Sequence, residues 1–333
     1  MKIKVTLKIF ALIISLSIYT TIAKAQSDPH FSQYYAHPLY LNPALTGVID
    51  GDYRGTVNLK QQWGGLQNSF LTGAASFDVA PKKNLAFGAT VLNQGAGELS
   101  YNYLSVLVSG AYSLKFGYNG LQIINFGLQA GFINRSFNLS QGRFGNQYNP
   151  DMGYDGGMSN GESFASTSSF VPDVNAGIMY FDGNPNQNVN IFAGASVSHL
   201  TKPTEHFGDN SLRTPIRTVV HGGARIRVSD VLDIVPNGLY MSQGTASETS
   251  IGAYAQFMVN NSSNILFGSN YRVKDATIAF VGLQLKNMVF GLSYDVNTSP
   301  LKKATNYAGG VELSISLIGR NGLIGPNFFC PRL

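Results

Sequence analysis

The stretch QIINFGLQAGFINR, Gln122–Arg135, decides the fold. Read with period two, Ile124, Phe126, Leu128, Ala130 and Phe132 share one face, and Asn125, Gly127, Gln129, Gly131 and Arg135 share the other. Successive side chains of a strand point to opposite faces, so this is an apolar wall backed by a polar, small-residue wall. On a helix the same apolar residues would scatter around the axis, and the two glycines would weaken it. The stretch is longer than the roughly five or six residues of an ordinary strand. It is long enough for a bilayer, which takes about 9–11 tilted strand residues. It predicts an all-β fold, a transmembrane antiparallel β-barrel.

Composition points the same way. Charged residues make up 12% of the chain, against about 25% in a typical soluble domain. Glycine (37), tyrosine (17) and phenylalanine (21) are abundant. Past the N-terminal leader there is no second long apolar run, which excludes helical spans. The leader itself has a basic start (Lys2, Lys4, Lys8), an apolar core Ile9–Ile22 and the small-x-small site Ala23-Lys24-Ala25. It reads as a secretory signal peptide, residues 1–25, cleaved after Ala25. Gln26 follows rather than Cys, so nothing suggests a lipoprotein. Four lysines and no acid leave with it, taking the formal charge from +5 to +1. No basic patch remains to neutralise phosphates, so nucleic acid is not an expected partner. A single cysteine, Cys330, forms no internal disulfide.

The same alternation marks about fourteen strands, an even number as single-chain bacterial barrels require. They are Thr56–Gln62, Phe70–Asp78, Leu85–Gln94, Tyr101–Phe116, Gln122–Arg135, Asp173–Phe181, Val189–Ser198, Arg217–Val228, Asp233–Tyr240, Thr249–Val259, Asn264–Val273, Thr277–Lys286, Val289–Asn297 and Asn306–Ile318. Residues 26–52 form an irregular segment that plugs or caps the periplasmic side, 53–319 the barrel and 320–333 a periplasmic tail. Connections after even-numbered strands are mostly tight. Those after odd-numbered strands include the long Ser136–Pro172, His199–Ile216, Met241–Glu248 and Thr298–Thr305. That asymmetry is the periplasm-to-exterior asymmetry of outer-membrane barrels and places both termini in the periplasm. Charge inside a membrane is tolerated where it meets water or a partner. His221, Arg225 and Arg227, opposite Val220, Ala224, Ile226 and Val228, are therefore read as lumen-facing. So is Glu312, opposite Val311 and Leu313.

The irregular segment carries Asp28-Pro29-His30-Phe31-Ser32-Gln33-Tyr34-Tyr35, then Pro38-Leu39-Tyr40-Leu41-Asn42-Pro43-Ala44. This block resembles the opening signature of the PorP/SprF family, outer-membrane proteins associated with the type IX secretion and gliding machinery of Bacteroidetes. The likeness continues at Gln62-Trp63, Pro150-Asp151-Met152, Ser196–Leu200, His221-Gly222-Gly223, Ser293-Tyr294-Asp295 and Cys330-Pro331. Thr46 before Gly47 and Gly64 after Trp63 depart from it, leaving the subgroup and its cargo open. The resemblance implies an outer-membrane location, a periplasmic peptidoglycan-binding partner, and export or cell-surface retention of a large adhesin-like protein through its C-terminal domain. It points to Asp28–Ala44 as the periplasmic or luminal contact, with Asp28, Pro29, His30, Phe31, Gln33, Tyr34, Tyr35, Pro38, Tyr40, Asn42 and Pro43 as candidate partner-binding residues. Ser136–Pro172 and His199–Ile216 are the candidate outer contacts.

Chemistry has little support beside contact. Asp151, Asp155 and Glu162 in the glycine-rich 136–172 loop could supply carboxylates to calcium, but solvated carboxylates in a long exposed loop are the ordinary reading. None of the five histidines falls in a zinc spacing. No nucleophile elbow on a strand-to-helix turn marks a hydrolase. The expectation is a non-enzymatic protein without a cofactor. The alternative is a passive channel for small solutes, and the two readings part on whether the lumen is plugged or open.

Overall fold

The computed structural model describes residues 28–64, 69–81, 84–97, 100–117, 120–159, 161, 167–207, 210–260 and 262–320. The leader with its cleavage site and the tail beyond Arg320, including Cys330, lie outside the described residues. After a short N-terminal segment holding one helical turn, α1 (Pro38–Leu41), the chain forms strands throughout. They are β1 (Tyr53–Gln62), β2 (Phe70–Val79), β3 (Leu85–Ala96), β4 (Tyr101–Phe116), β5 (Gln122–Ser136), β6 (Tyr148–Asn149), β7 (Gly153–Tyr154), β8 (Ser168–Asp182) and β9 (Val189–Ser198). There follow β10 (Thr204–Phe207), β11 (Asn210–Arg213), β12 (Arg217–Ser229), β13 (Leu232–Gln243), β14 (Ala246–Asn260), β15 (Ser263–Arg272), β16 (Ala276–Leu285), β17 (Met288–Asn297) and β18 (Ala308–Gly319).

Fourteen of these close into one antiparallel barrel, sealed where β1 meets β18 from Tyr53↔Gly319 to Gln62↔Gly310. The two remaining pairs, β6–β7 and β10–β11, are small hairpins within the 137–167 and 199–216 loops. Burial is inverted relative to a soluble protein. In β1, Thr56, Asn58 and Lys60 are buried while Val57 and Leu59 are exposed; in β5, Asn125 and Gln129 are buried while Phe126 and Leu128 are exposed. An outward apolar band and a polar interior are what a lipid surround selects. No helix among the described residues is long and apolar enough to cross a membrane.

Two prolines show how the ladder tolerates a missing N–H. Pro172 extends β8 five residues ahead of the expected start at Asp173, in a part of the strand that pairs with β5 but not with β9. Pro236 sits in the gap of the β12–β13 ladder between Gly223↔Asn237 and Ile226↔Ile234. One expected long connection is corrected. Met241–Glu248 is not a loop: β13 runs to Gln243, β14 starts at Ala246, and Gly244 at φ +59 closes the tight turn between them. The loop asymmetry therefore rests on 137–167, 199–216 and 298–307.

The lumen is not empty. Residues Phe31 to Val48 run through it, with Leu39, Ala44, Leu45, His37, Asn42 and Thr46 fully buried. The segment acts as a plug, and it does more than cap one mouth. Asp28 lies beside His199, Arg135 and Arg217, at the long-loop end. Tyr53 and Gly319 lie at the short-turn end. The placement of both termini at one end is thus corrected for the first described residue, because the plug traverses the bore before β1 begins.

Candidate functional site

Three tiers of contacts hold the plug, and each begins with a polar residue at an inward strand position. At the long-loop end the Asp28 carboxylate accepts from Arg135 Nη2 (3.1 Å) and His199 Nε2 (2.6 Å) and pairs with Arg217 Nη1 at 3.5 Å. The other imidazole nitrogen of His199 faces Asp173 Oδ1 at 3.0 Å. With a carboxylate at each ring nitrogen, both nitrogens must donate, which requires imidazolium. Burial alone would lower the His199 pKa, but Asp28 and Asp173 outweigh it and hold it at about 9. Burial would likewise raise the Asp28 carboxyl, yet His199, Arg217 and Arg135 hold it well below the usual carboxylate range. Arg135 donates onward to Glu205 Oε1 (2.7 Å), bringing β10 of the outer loop into the cluster. The Arg217 guanidinium lies 4.4 Å from the centroid of the Tyr40 ring, and that of Arg135 5.0 Å from that of Tyr103.

In the middle tier the Glu312 carboxylate accepts the backbone N–H of Ser32 (2.7 Å) and of Gln33 (3.3 Å). Gln33 donates to Ser293 Oγ and the Glu312 carbonyl and accepts from Ser314 Oγ. Ser32 donates to Asp295, which also pairs with Arg272 at 3.0 Å. Lys60 donates to the His30 carbonyl, Tyr34 to Asn237, Tyr40 to the Pro29 carbonyl, and His37 sits 2.9 Å from Thr90 Oγ1. Phe31 packs against the rings of His37 and Tyr40, and Tyr35 against Phe192 and His221. Pro38 opens α1, whose fixed φ suits a first helical position. Asn42 reaches the Ile178 and Ala195 carbonyls and His221 Nε2 (3.1 Å) and caps the turn at Pro43. Gly127, Gly177 and Gly194 form its seat: a Cβ at Gly127 would stand 2.2 Å from the Pro43 carbonyl carbon, and one at Gly177 2.0 Å from Asn42 Oδ1.

At the short-turn end Asn125 donates to the Ala44 and Thr46 carbonyls. Arg54 grips Asp78 through two hydrogen bonds (3.0 and 2.9 Å) while donating to the Leu45 and Val48 carbonyls. Asp78 in turn accepts the Gly47 N–H at 2.8 Å. Beside the plug, a cavity of about 690 Å³ runs along the wall from Tyr34 and Asn237 past Tyr254 and Asn264 to Asp50 and Arg320 at the short-turn end.

Of the four lumen residues singled out in the sequence, His221 and Glu312 touch the plug. Arg225 pairs with Asp233 at 2.7 Å and Arg227 donates to the Pro185 carbonyl, so both brace the wall below it. The sequence pattern does not mark Asp78, Arg217, Asp295 and Arg272 as seats, and it places His199 in a connection. Their signal was an unpaired charge at inward parity, but nothing local names its partner. In the outer loop, Tyr148, Met152 and Tyr154 are exposed, and Arg143 lies over the Tyr154 ring. Asp155 caps its own turn by accepting the Gly157 N–H, and Glu162 lies outside the described residues. No group of three His, Cys, Asp or Glu side chains among the described residues is placed to hold a metal ion.

The family model described as "Type IX secretion system membrane protein PorP/SprF" matches residues 23–317. No curated protein matches the chain in sequence. Among solved structures, the Ralstonia pickettii toluene transporter TbuX is similar at 12% identity and TM-score 0.50, covering 85% of this chain and 93% of that one. The CymD monoaromatic hydrocarbon channel is similar at 10% identity and TM-score 0.47, covering 86% and 93%. At these identities the TbuX likeness shows the barrel fold alone.

Proposed function

Because the chain belongs to the PorP/SprF family of type IX secretion system membrane proteins, we propose that it serves that machinery in the outer membrane by contact rather than by conduction or catalysis. The observation that carries this reading is the plug. A bore crossed by Phe31–Val48 and tied to the wall at three levels is obstructed, with a cavity of about 690 Å³ left beside the plug. What is left for partners is the two rims. The 137–167 and 199–216 loops, with Tyr148, Met152 and Tyr154 exposed, form the outer contact for the C-terminal domain of an adhesin-like cargo, which the protein helps to export or to retain at the surface. The short-turn rim is the contact for a periplasmic peptidoglycan-binding partner. The signal peptide is removed after Ala25 on the way.

The test is a mild-detergent pull-down from outer membranes with a tagged copy. Co-purification of a very large surface protein or of a peptidoglycan-binding protein supports the reading. Loss of the former on replacing residues 145–158 by a short Gly/Ser linker assigns it to the outer loop. A barrel that purifies alone and conducts ions overturns it in favour of a solute channel, for which the cavity beside the plug would be the remnant path.

A further inference from the structure

We infer that Arg135, Arg217 and His199 form a carboxylate-binding cradle at the outer mouth, and that the plug's own Asp28 is its resident ligand and so the lock on the plug. The three cations come from β5, β12 and the residue after β9, strands far apart in sequence that bring their outer ends to one point. All three are buried, with exposures of 5, 4 and 3%. Among the described residues, Asp28 is the only one of this segment that reaches them with charge. The cradle is also held from behind: Asp173 and the carboxamide of Asn175 fix His199, whose backbone lies at φ 60, and Glu205 with Thr214 fixes Arg135. Nε of Arg135 and Nε of Arg217 have no hydrogen-bond partner. The cradle thus offers more donors than Asp28 uses, as a general carboxylate receptor would. Guanidinium groups suit this because their planar N–H forks match a carboxylate. This inference does not depend on the secretion reading.

The site has a definite charge balance. Facing His199 and its partners are Asp28 and Tyr40 of the plug, Tyr103 of β4, Arg135 of β5, Asp173 of β8, Glu205 of β10 and Arg217 of β12. Three carboxylates meet three cations only while His199 is charged. Its folded pKa of about 9 lies above the ordinary 6.5, so its contribution is complete below pH 6.5 and is lost as pH rises through about 9.

The test is chemical rescue. In Asp28→Ala the cradle is emptied and the heat-modifiable unfolding of the purified barrel moves down by several degrees. Acetate at tens of millimolar restores most of the shift, while acetamide, the same shape without charge, does not. Equal effects of acetate and acetamide, or an Asp28→Ala protein indistinguishable from wild type, would overturn the cradle. Should that variant fail to fold, the wild-type protein carries the second test. Its ion conductance in planar bilayers rises reversibly between pH 8 and 10.5 as the lock releases; unchanged conductance over that range contradicts the lock.

Discussion

The carboxylate of Glu312, on the last strand, accepts the backbone N–H of Ser32, near the start of the plug, at 2.7 Å. The two residues are 280 apart in sequence, so the strand that closes the barrel also clasps the segment inside it. Removing the acceptor leaves buried N–H groups unpaired, at about 1–3 kcal/mol. Glu312→Ala is expected to loosen the upper plug, raising conductance of the purified barrel and exposing Phe31–Tyr35 to protease. Limited proteolysis of the variant beside wild type checks this, and an unchanged digestion pattern would speak against the clasp.

Gly127 brings the wall against the backbone of the plug. A methyl there would overlap the Pro43–Ala44 peptide, which is backbone and cannot swing aside as a side chain would. Gly127→Ala is expected to cost about 1–3 kcal/mol as an overpacked site. Gly73→Ala meets only Leu59 Cδ2 at 3.4 Å and should be close to neutral. Thermal unfolding of the pair separates a steric seat from a general intolerance of substituted glycine.

Arg54 and Asp78 are both buried and joined by two hydrogen bonds. Breaking a buried pair strands a charge, at about 3–5 kcal/mol. Arg54→Met and Asp78→Leu should each destabilise strongly, and the double variant less than the sum of the two. Additive losses would mean that the groups act separately, and a double-mutant cycle decides.

Two buried histidines oppose each other in pH dependence. Burial, reinforced by Arg54, lowers His37 to about 3. The unfolded chain therefore binds a proton below pH 6.5 that the folded plug refuses, and stability falls as pH drops from about 6.5 toward 3. His199 acts at the other end of the scale, losing its contribution as pH rises from about 6.5 through about 9. Stability of the plugged state should peak between these limits. His37→Gln should flatten the acid limb without moving the alkaline one.

Leu128 is the most exposed large apolar residue of β5, at 66%, and points away from the lumen. In lipid it is a membrane-facing side chain. Leu128→Arg is expected to cost about 2–4 kcal/mol near the bilayer centre, measured as the yield of folded, heat-modifiable barrel. A fully tolerated arginine would mean that this face is not in lipid.

Much of the barrel was legible because a strand facing lipid outside and polar groups inside writes its parity into every second residue, as Gln122–Arg135 does. The tight turn at Gly244 was not, because the polar residues Ser242–Ser247 look like loop although their strands continue. The start of β8 was hidden by Pro172, which is harmless only because β9 ends before it. The plug was legible as an irregular segment, but not its path. Asp28 meets partners 107 and 171 residues away, and no local pattern specifies pairings of that reach. His221 and Glu312 were found by inward parity; His199, just past the end of its strand, escaped that rule.

Working by contact rather than conduction requires that the plug keep the bore closed. Single-channel recording of the purified protein in planar bilayers at neutral pH tests this most directly. Wild type is predicted to be silent, and a form lacking residues 28–48 to open in discrete ohmic steps. Steady ohmic conductance from the intact wild-type barrel would contradict the plug, and with it the claim that this protein works by contact.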